Sequence, residues 1–599
     1  MTQYKAPLDE IRFTLFEVAN LEALGNLEGF QQTDPDLVDG LLAEAARFFE
    51  QVVAPTNRDG DVVGSRRNDD GSVTTAPGFA KAYRQQVAAG WNGVAMPAQF
   101  GGGGFPWLLG LAVQEMLTSA NMAYSLCSLL TQAAIDALAH HGSPQQQAIF
   151  LEKMVTGEWS GTMNLTEPHA GSDVGALTTR AEPKADGTWR IVGQKIFITW
   201  GEHDLTENII HLVLARTPDA PTGTRGISLF VVPKYLVHTD GTLGERNDVH
   251  CVSLEHKLGI HASPTCVMSF GERTGAVGYL VGEENAGMVA MFTMMNNARL
   301  SVGLEGVALA ERAYQQALDH ALQRRQGRAP DALGAEPSLI IEHPDVARML
   351  MDMRASIAAM RSLCYRNAEA LDWAAQGPDE ASRTRGAERA AILTPLSKAW
   401  CTDLGCELTS TGIQIHGGMG YVEETGAAQH FRDARIAPIY EGTNGIQALD
   451  LASRKLPIRD GAAVAELLAE ISCTAKTAAA NPNLKLAASH LEAAATATAT
   501  ASEWLLECFE SRRADALVGA HAYLEMLALS TAGAALLDGA VAAASSSSAS
   551  VAAQDFATDR AILARVFAVN RLAQVPALLA AVTAGSVDMH IARKRLLTH

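Results

Sequence analysis

Glu441 stands where a carboxylate needs a reason. In "RDARIAPIYEGTNGIQALDL", residues 432–451, it separates an apolar approach ending in Tyr440 from a glycine-threonine turn. A carboxyl on such a surface loses water when a ligand covers it, which favours the neutral form and raises its pKa toward that of a useful general base. The alternative is a cap for a helix beginning near Thr443. A second segment, "MNLTEPHAGSDVGAL", residues 163–177, combines hydroxyls, a proline turn and Gly171 directly before Ser172. Free backbone donors there could clasp an anionic cofactor, or the stretch is a helix-to-strand loop in which Ser172 and Asp173 only cap the backbone. A third, "QIHGGMG", ends a helix with Gly417, Gly418 and Gly420 at a spacing that is not the dinucleotide fingerprint.

Other chemistries drop out. The chain has no Gly-x-Ser-x-Gly elbow, no His-Glu-x-x-His and no Walker phosphate loop. Its histidines, including His140, His141, His169 and His416, lack metal spacing and read as surface or hydrogen-bonded core groups, so no metal is assigned. Eight scattered cysteines never form Cys-x-x-Cys and read as reduced core thiols. Acidic residues outnumber basic ones by 66 to 47, a field that repels nucleic acid and anionic membranes. The opening "MTQYKAPLDEIRFTLFE" has no secretory layout. The apolar "YLEMLALSTAGAALLDGAVAAA" carries Glu525 and Asp538, which predicts a core helix rather than a membrane span. The expectation is a soluble cytoplasmic protein.

These residues need elements to hold them. Up to about residue 160 apolar positions recur at helical spacing, with turns at "GGGGFP" and His141-Gly142-Ser143-Pro144. "WRIVGQKIFIT", "ENIIHLVLART" and "RGISLFVVPK" then read as strands of an antiparallel sheet or small barrel ending near residue 280, with a hairpin turn at Asp186-Gly187. From Gly287 the helical period returns through Leu300, Leu304, Val307, Tyr314 and Leu318. Further helices are predicted over 344–376, 386–413 and 444–456, enough for a bundle. After Pro457 the chain turns alanine-rich, and "TATATA" and Ser545 to Ser548 read as mobile loops between more helices. The predicted domains are helical over 1–160, β over 161–282, a four-helix bundle over 283–457 and a helical C-terminal domain over 458–599.

Taken in order, "LTEPHAGSD", "GQKIFITWG", "HKLGIHASPTC", the helix from Arg299 to "ALQRRQGR", "QIHGGMG" and "IYEGTNGIQ" resemble the acyl-CoA dehydrogenase family across about the first three quarters of the chain. The opening "YKAPLDEIRFTLFEV" and the extra C-terminal domain resemble its long bacterial branch, which includes 3-methylmercaptopropionyl-CoA dehydrogenases. The resemblance implies FAD held by the β-domain and bundle and shared across a subunit interface. It implies that Leu165, Thr166 and Ser172 line the flavin and its pyrophosphate, and that Phe197 and Thr199 pack on the isoalloxazine. Many relatives have tryptophan where Phe197 stands; phenylalanine keeps the aromatic wall and loses the indole donor. Arg324, Gln414 and Gly418 are then expected at the adenine-diphosphate end of a neighbouring subunit's FAD, with Thr443 also a cofactor contact.

In the same resemblance Glu441 is the base that removes the thioester's α-proton, while the β-hydrogen leaves as hydride to flavin N5 and the product is a trans-2-enoyl-CoA. Some relatives take their base from the residue before Arg299, here Ala298, which accepts no proton. Arg299, Tyr440, Gly442 and Ser172 are expected near the acyl-CoA substrate, as is Asn296, which replaces an aspartate of many relatives. Electrons would pass to an electron-transferring flavoprotein, and short acyl chains, 3-methylthio-propionyl among them, are favoured. The extra domain is expected to cover the surface on which shorter members pair dimers into tetramers, leaving a homodimer. Two rivals are an acyl-CoA oxidase that reduces oxygen and a non-enzymatic DNA-associated flavoprotein. The second needs a basic surface, yet residues 461–599 hold 10 Lys plus Arg against 12 Asp plus Glu, a balance of 10 − 12 = −2.

Overall fold

Branched and aromatic residues dictate the sheet, in runs buried at every position where helices and neighbouring strands cover both faces. In the computed structural model, which describes residues 3–31, 33–332, 336–545 and 551–597, eight strands form it: Trp159–Asn164 (β1), Arg180–Pro183 (β2), Trp189–Thr199 (β3), Asn208–Ala215 (β4), Ser228–Pro233 (β5), Val249–Leu254 (β6), Thr265–Phe270 (β7) and Ala276–Val281 (β8). The spatial order is β6-β7-β3-β8-β5-β4-β1, with β2 paired to β3 beside this path. The β2–β3 hairpin turns where Asp186-Gly187 predicted it, with Gly187 at φ 83°. One expectation is corrected: the sheet is not purely antiparallel, because β1 and β4 run parallel. The chain between them makes the crossover that a parallel neighbour requires and carries the hairpin within it. Phe230, Ile191, Ile198, Val213, Met268 and Phe270 fill the sheet's core.

The chain divides into two compact units. One is Gly40–Ser301 with Gln3–Ala6; the other is Val302–His599 with Pro7–Asp39 among its parts. In the first, the helices Trp107–Ala120 (α1) and Met122–His141 (α2) are apolar almost all round and correspondingly buried. Pro144–Thr156 (α3) follows the expected turn: Ser143 and Gln146 form a reciprocal capping box with Pro144 at the first helical position. Gly102 in the glycine run is required, since a Cβ there would lie 2.2 Å from the Met96 carbonyl oxygen.

The helix Gly287–Gln323 (α4) begins in this unit and ends in the other. There Pro344–Gln376 (α5) and Glu380–His416 (α6) pack along each other, and Asn444–Asp450 (α7) docks on α6. Ala462–Ala479 (α8), Lys485–Ser511 (α9), Arg513–Ser545 (α10) and Val551–Asn570 (α11) follow, then the shorter helices Val575–Thr583 and Val587–Arg595, and α10 packs on α5, α6 and α7. The "TATATA" loop is corrected to helix within α9. Alanine favours helix, and the hydroxyls of Thr496, Thr498 and Thr500 donate to carbonyls four residues back at 2.9, 2.8 and 3.1 Å. Ser545 ends α10, and Ser546 to Ser548 lie outside the described residues. The stretches Met122–His141, Arg513–Ser545 and Gln554–Thr583 are long and apolar enough to cross a membrane by length and composition, and the most apolar windows of the first two are 83% and 72% buried in the protein. All eight cysteines are free; Cys473 is exposed and Cys406 half-buried, so the core-thiol expectation holds for the other six.

Candidate active site

The expected cofactor and substrate residues fall in both units. In the sheet unit, β3 carries a bulge. Lys195 pairs with Met268 and Ile198 with Cys266, so Ile196 and Phe197 together oppose Val267. Without the extra residue Phe197 would share the inward face of Ile191 and Lys195. With it, Phe197 adopts φ 59° and points out, 58% exposed, while Ile198 returns to the core. A phenylalanine in left-handed backbone is a strained arrangement held by its surroundings.

Those surroundings include the Leu165-Thr166 segment. The Ile196 amide donates to the Thr166 carbonyl at 2.9 Å, and the Lys195 ammonium donates to the Leu165 carbonyl at 3.0 Å and to Glu167 at 2.8 Å. Glu167 also accepts from the amides and hydroxyls of Thr178 and Thr179. Burial pushes its carboxyl up, but Lys195 and these donors outweigh it and bring it down to about 2. Leu165, Thr166, Phe197 and Thr199 are thus gathered at one place. Ser172 is exposed in the loop beyond, where Asp173 accepts from the Gly175 amide at 3.0 Å, the backbone role the loop reading assigned to it. On the first part of α4, Asn296 is exposed and Arg299 is buried. The neighbouring Asn297 donates to the half-buried Asp136, whose carboxyl is raised to about 6 by desolvation.

In the helical unit the Glu441 turn is held at several points. Glu441 sits at φ 53° and Gly442 at φ 81°. The cap of α7 is Thr443, whose hydroxyl accepts from the Ile446 amide at 3.3 Å, so the capping duty belongs to Thr443 and not to Glu441. Asn444 is clamped to α6: Lys398 donates to its oxygen at 2.8 Å, and its nitrogen donates to the Ala399 carbonyl and the Thr402 hydroxyl, both at 3.0 Å. Gln447 donates back to the Glu441 carbonyl at 3.3 Å. The Tyr440 hydroxyl donates to Glu305 on α4. Burial, with Glu305 and Glu441 nearby, keeps that phenol well above its ordinary pKa.

A third group gathers at the far ends of α4 and α6, where His320 and His416 stack at 4.6 Å. Arg324 is exposed there and donates to Gln326 at 3.1 Å. Gln414 and Gly418 are exposed, and a Cβ at Gly418 would meet nothing within 4 Å. No group of three or more His, Cys, Asp or Glu suited to a metal occurs among the described residues. Instead His211 and His203 bond Thr162 and Ser160 in the core, at 2.7 and 2.9 Å.

Glu305, Lys398 and the Glu167–Lys195 pair were not foreseen. The signal for Glu305 was a lone carboxylate inside the apolar run "LSVGLEGVALA". For Lys195 it was a cation on the buried face of a strand.

The chain belongs to the acyl-CoA dehydrogenase family. It matches that family's N-terminal domain over residues 39–158, middle domain over 162–272 and C-terminal domain over 285–456, and the acetyl-CoA dehydrogenase C-terminal-like domain over 467–590. It is 50% identical over 468 residues to the 3-methylmercaptopropionyl-CoA dehydrogenase of Ruegeria pomeroyi, covering 78% of this chain and 79% of that one. A butyryl-CoA dehydrogenase of Syntrophomonas wolfei is 36% identical over 77% of each chain. A solved Bacillus anthracis acyl-CoA dehydrogenase complexed with FAD shares the fold along nearly the whole length, with TM-score 0.75, 20% identity, and 96% of this chain and 94% of that one covered.

Proposed function

We propose that the protein is an FAD-dependent dehydrogenase that converts a short acyl-CoA thioester to its trans-2-enoyl-CoA, with Glu441 taking the α-proton. The observation that carries this is the Glu441 turn itself. A carboxylate is held at positive φ by clamps on both sides, while the capping duty that would explain it away belongs to Thr443.

The residues fit a flavin. Phe197 offers an aromatic surface beside Thr166 and Thr199, and Gly171, Gly417 and Gly418 leave open space where a side chain would otherwise stand. Leu165, Thr166, Ser172, Phe197, Thr199 and Thr443 would hold the cofactor, with Arg324, Gln414 and Gly418 serving a neighbouring subunit's copy. Bound there, FAD supplies the acceptor for the β-hydrogen as hydride. The chain's own work is to present a base and to bind the thioester. Glu441 accepts the proton, and its backbone N–H is the donor for the thioester carbonyl, where charge develops. Arg299, Asn296, Tyr440 and Gly442 belong to the acyl-CoA side.

Short chains are favoured because the two relatives above are named for four-carbon and methylthio-propionyl thioesters. Family membership supports an electron-transferring flavoprotein as acceptor, a homodimeric assembly and a cytoplasmic setting, with neither nucleic acid nor membrane as partner. The test is anaerobic bleaching of the purified yellow protein by acyl-CoA thioesters of graded length, including 3-methylthio-propionyl-CoA. Bleaching by short thioesters and slow recovery in air are expected. Absence of bleaching by any thioester would overturn the reading, and fast reoxidation with peroxide would make the protein an oxidase.

A further inference from the structure

Glu305 is a carboxyl that the reaction just described does not use. It lies fully buried on α4. Gly303 and Gly306 on either side let α6 press close: a Cβ at Gly306 would lie 2.1 Å from the Cys401 carbonyl oxygen, and one at Gly303 2.5 Å from that of Ser397. This packing keeps water from Glu305. One of its oxygens accepts from the Tyr440 hydroxyl. The other, Oε1, is buried with no hydrogen-bond partner, although buried polar atoms are nearly always paired. Tyr440 immediately precedes Glu441, so the carboxyl grips the turn that carries the base.

We propose that Glu305 is a positioning residue for Glu441, holding its turn through the Tyr440 hydroxyl and setting the proton affinity of the base through its own charge. This inference rests on Glu441 being the base. The charges acting on Glu305 come from three sides. Burial is the largest influence and pushes it up to about 8; the Tyr440 hydroxyl and Lys398 on α6 pull it down, and the like charge of Glu441 raises it. At neutral pH Glu305 therefore keeps its proton and adds no negative charge beside Glu441. An uncharged Oε1 carrying the proton also removes the cost of an unpaired buried anion. Above about pH 8 Glu305 ionises, and the second negative charge favours the protonated form of Glu441, making it a stronger base.

The experiment uses the full-length, flavin-loaded protein with butyryl-CoA as the probe. The rate of flavin reduction is expected to rise once with the ionisation of Glu441 and again through about pH 8; in E305Q the second rise disappears and the first remains. Infrared difference spectra provide a second readout. The carbonyl band of a protonated carboxyl, present at neutral pH and absent in E305Q, should titrate away near pH 8 in the wild type. Its midpoint should fall in E441Q, which removes the like charge, and rise in Y440F, which removes the donor. If E305Q does not fold, the opposite shifts in E441Q and Y440F decide alone. An unchanged second rise in E305Q, or a band indifferent to both other variants, overturns the proposal. Normal flavin reduction in E441Q would instead overturn the assignment of the base.

Discussion

At the scale of single residues, Glu441 and Glu305 are two carboxyls whose environments push their duties apart. Glu441 to Gln removes the proposed proton acceptor at nearly constant volume and leaves the Thr443 cap and the Asn444 clamp in place. The fold and bound flavin should persist while the rate of flavin reduction by substrate, followed by stopped flow, falls at least about 10²-fold. Glu305 makes a separate prediction about stability. Its folded pKa of about 8 lies above the ordinary 4.5, so between those values the unfolded chain has released a proton that the folded protein still holds. Stability from this group is therefore present below about pH 4.5 and is lost as pH rises toward 8, by a few kcal/mol in all. Gln cannot ionise. Chemical denaturation of E305Q and wild type at pH 5 and pH 8 should show the variant gaining on the wild type at the higher pH, and a constant difference would mean that Glu305 is not buried as a neutral acid. Glu441 stands out in the sequence through its place in "IYEGTNGIQ" behind an apolar approach. The role of Glu305 does not, because it depends on a tyrosine 135 positions away in the turn that precedes Glu441.

At the scale of elements, periodicity made the helices and strands legible and the exceptions invisible. α4 begins at Gly287, where the helical period returns, and α5 spans the predicted 344–376, whereas α6, predicted over 386–413, runs from Glu380 to His416. The bulge in β3 does not announce itself, since strict alternation of "GQKIFIT" would send Phe197 inward; only the partner strand's register reveals the extra residue. The parallel β1–β4 pair was equally hidden, because strand direction is set by how the chain returns and not by the composition of either strand. Behind the bulge, Lys195 and Glu167 form a fully buried ion pair that ties the Leu165-Thr166 segment to β3. Replacing Lys195 by Met leaves Glu167 buried among threonine donors without its cation, which should cost about 3–5 kcal/mol. A second change, Glu167 to Gln, should recover much of it by removing the stranded charge. Urea denaturation of the single and double variants measures both, and a double variant no more stable than K195M would mean that packing rather than charge is what Lys195 supplies.

At the scale of the whole chain, the alanine-rich region after Pro457 is bound into its unit by more than apolar contact. Asp538 on α10 accepts from Arg366 on α5 at 2.7 Å, and Arg571 reaches Asp352 and Glu407 at 2.5 and 2.8 Å. Phe567 meets Trp400 edge-on with ring centroids 6.4 Å apart. The opening segment takes part too: Phe13 packs on Phe556 at 5.1 Å, and Glu10 pairs with Arg560 and Arg354. Sequence placed the opening and the tail in the same branch of the family, and the structure supplies the physical reason that they belong together. Truncation near Pro457 would therefore uncover Trp400 and the apolar faces of α5 and α6, and would leave Asp352 and Glu10 without their tail arginines. A contiguous apolar surface of that kind drives association. Light scattering should find the full-length protein as a homodimer and the truncated one as aggregate or a larger assembly, with any soluble remainder retaining some yellow colour. A full-length tetramer, or a truncated chain that stays a clean and fully active dimer, would assign the tail a task other than covering this surface.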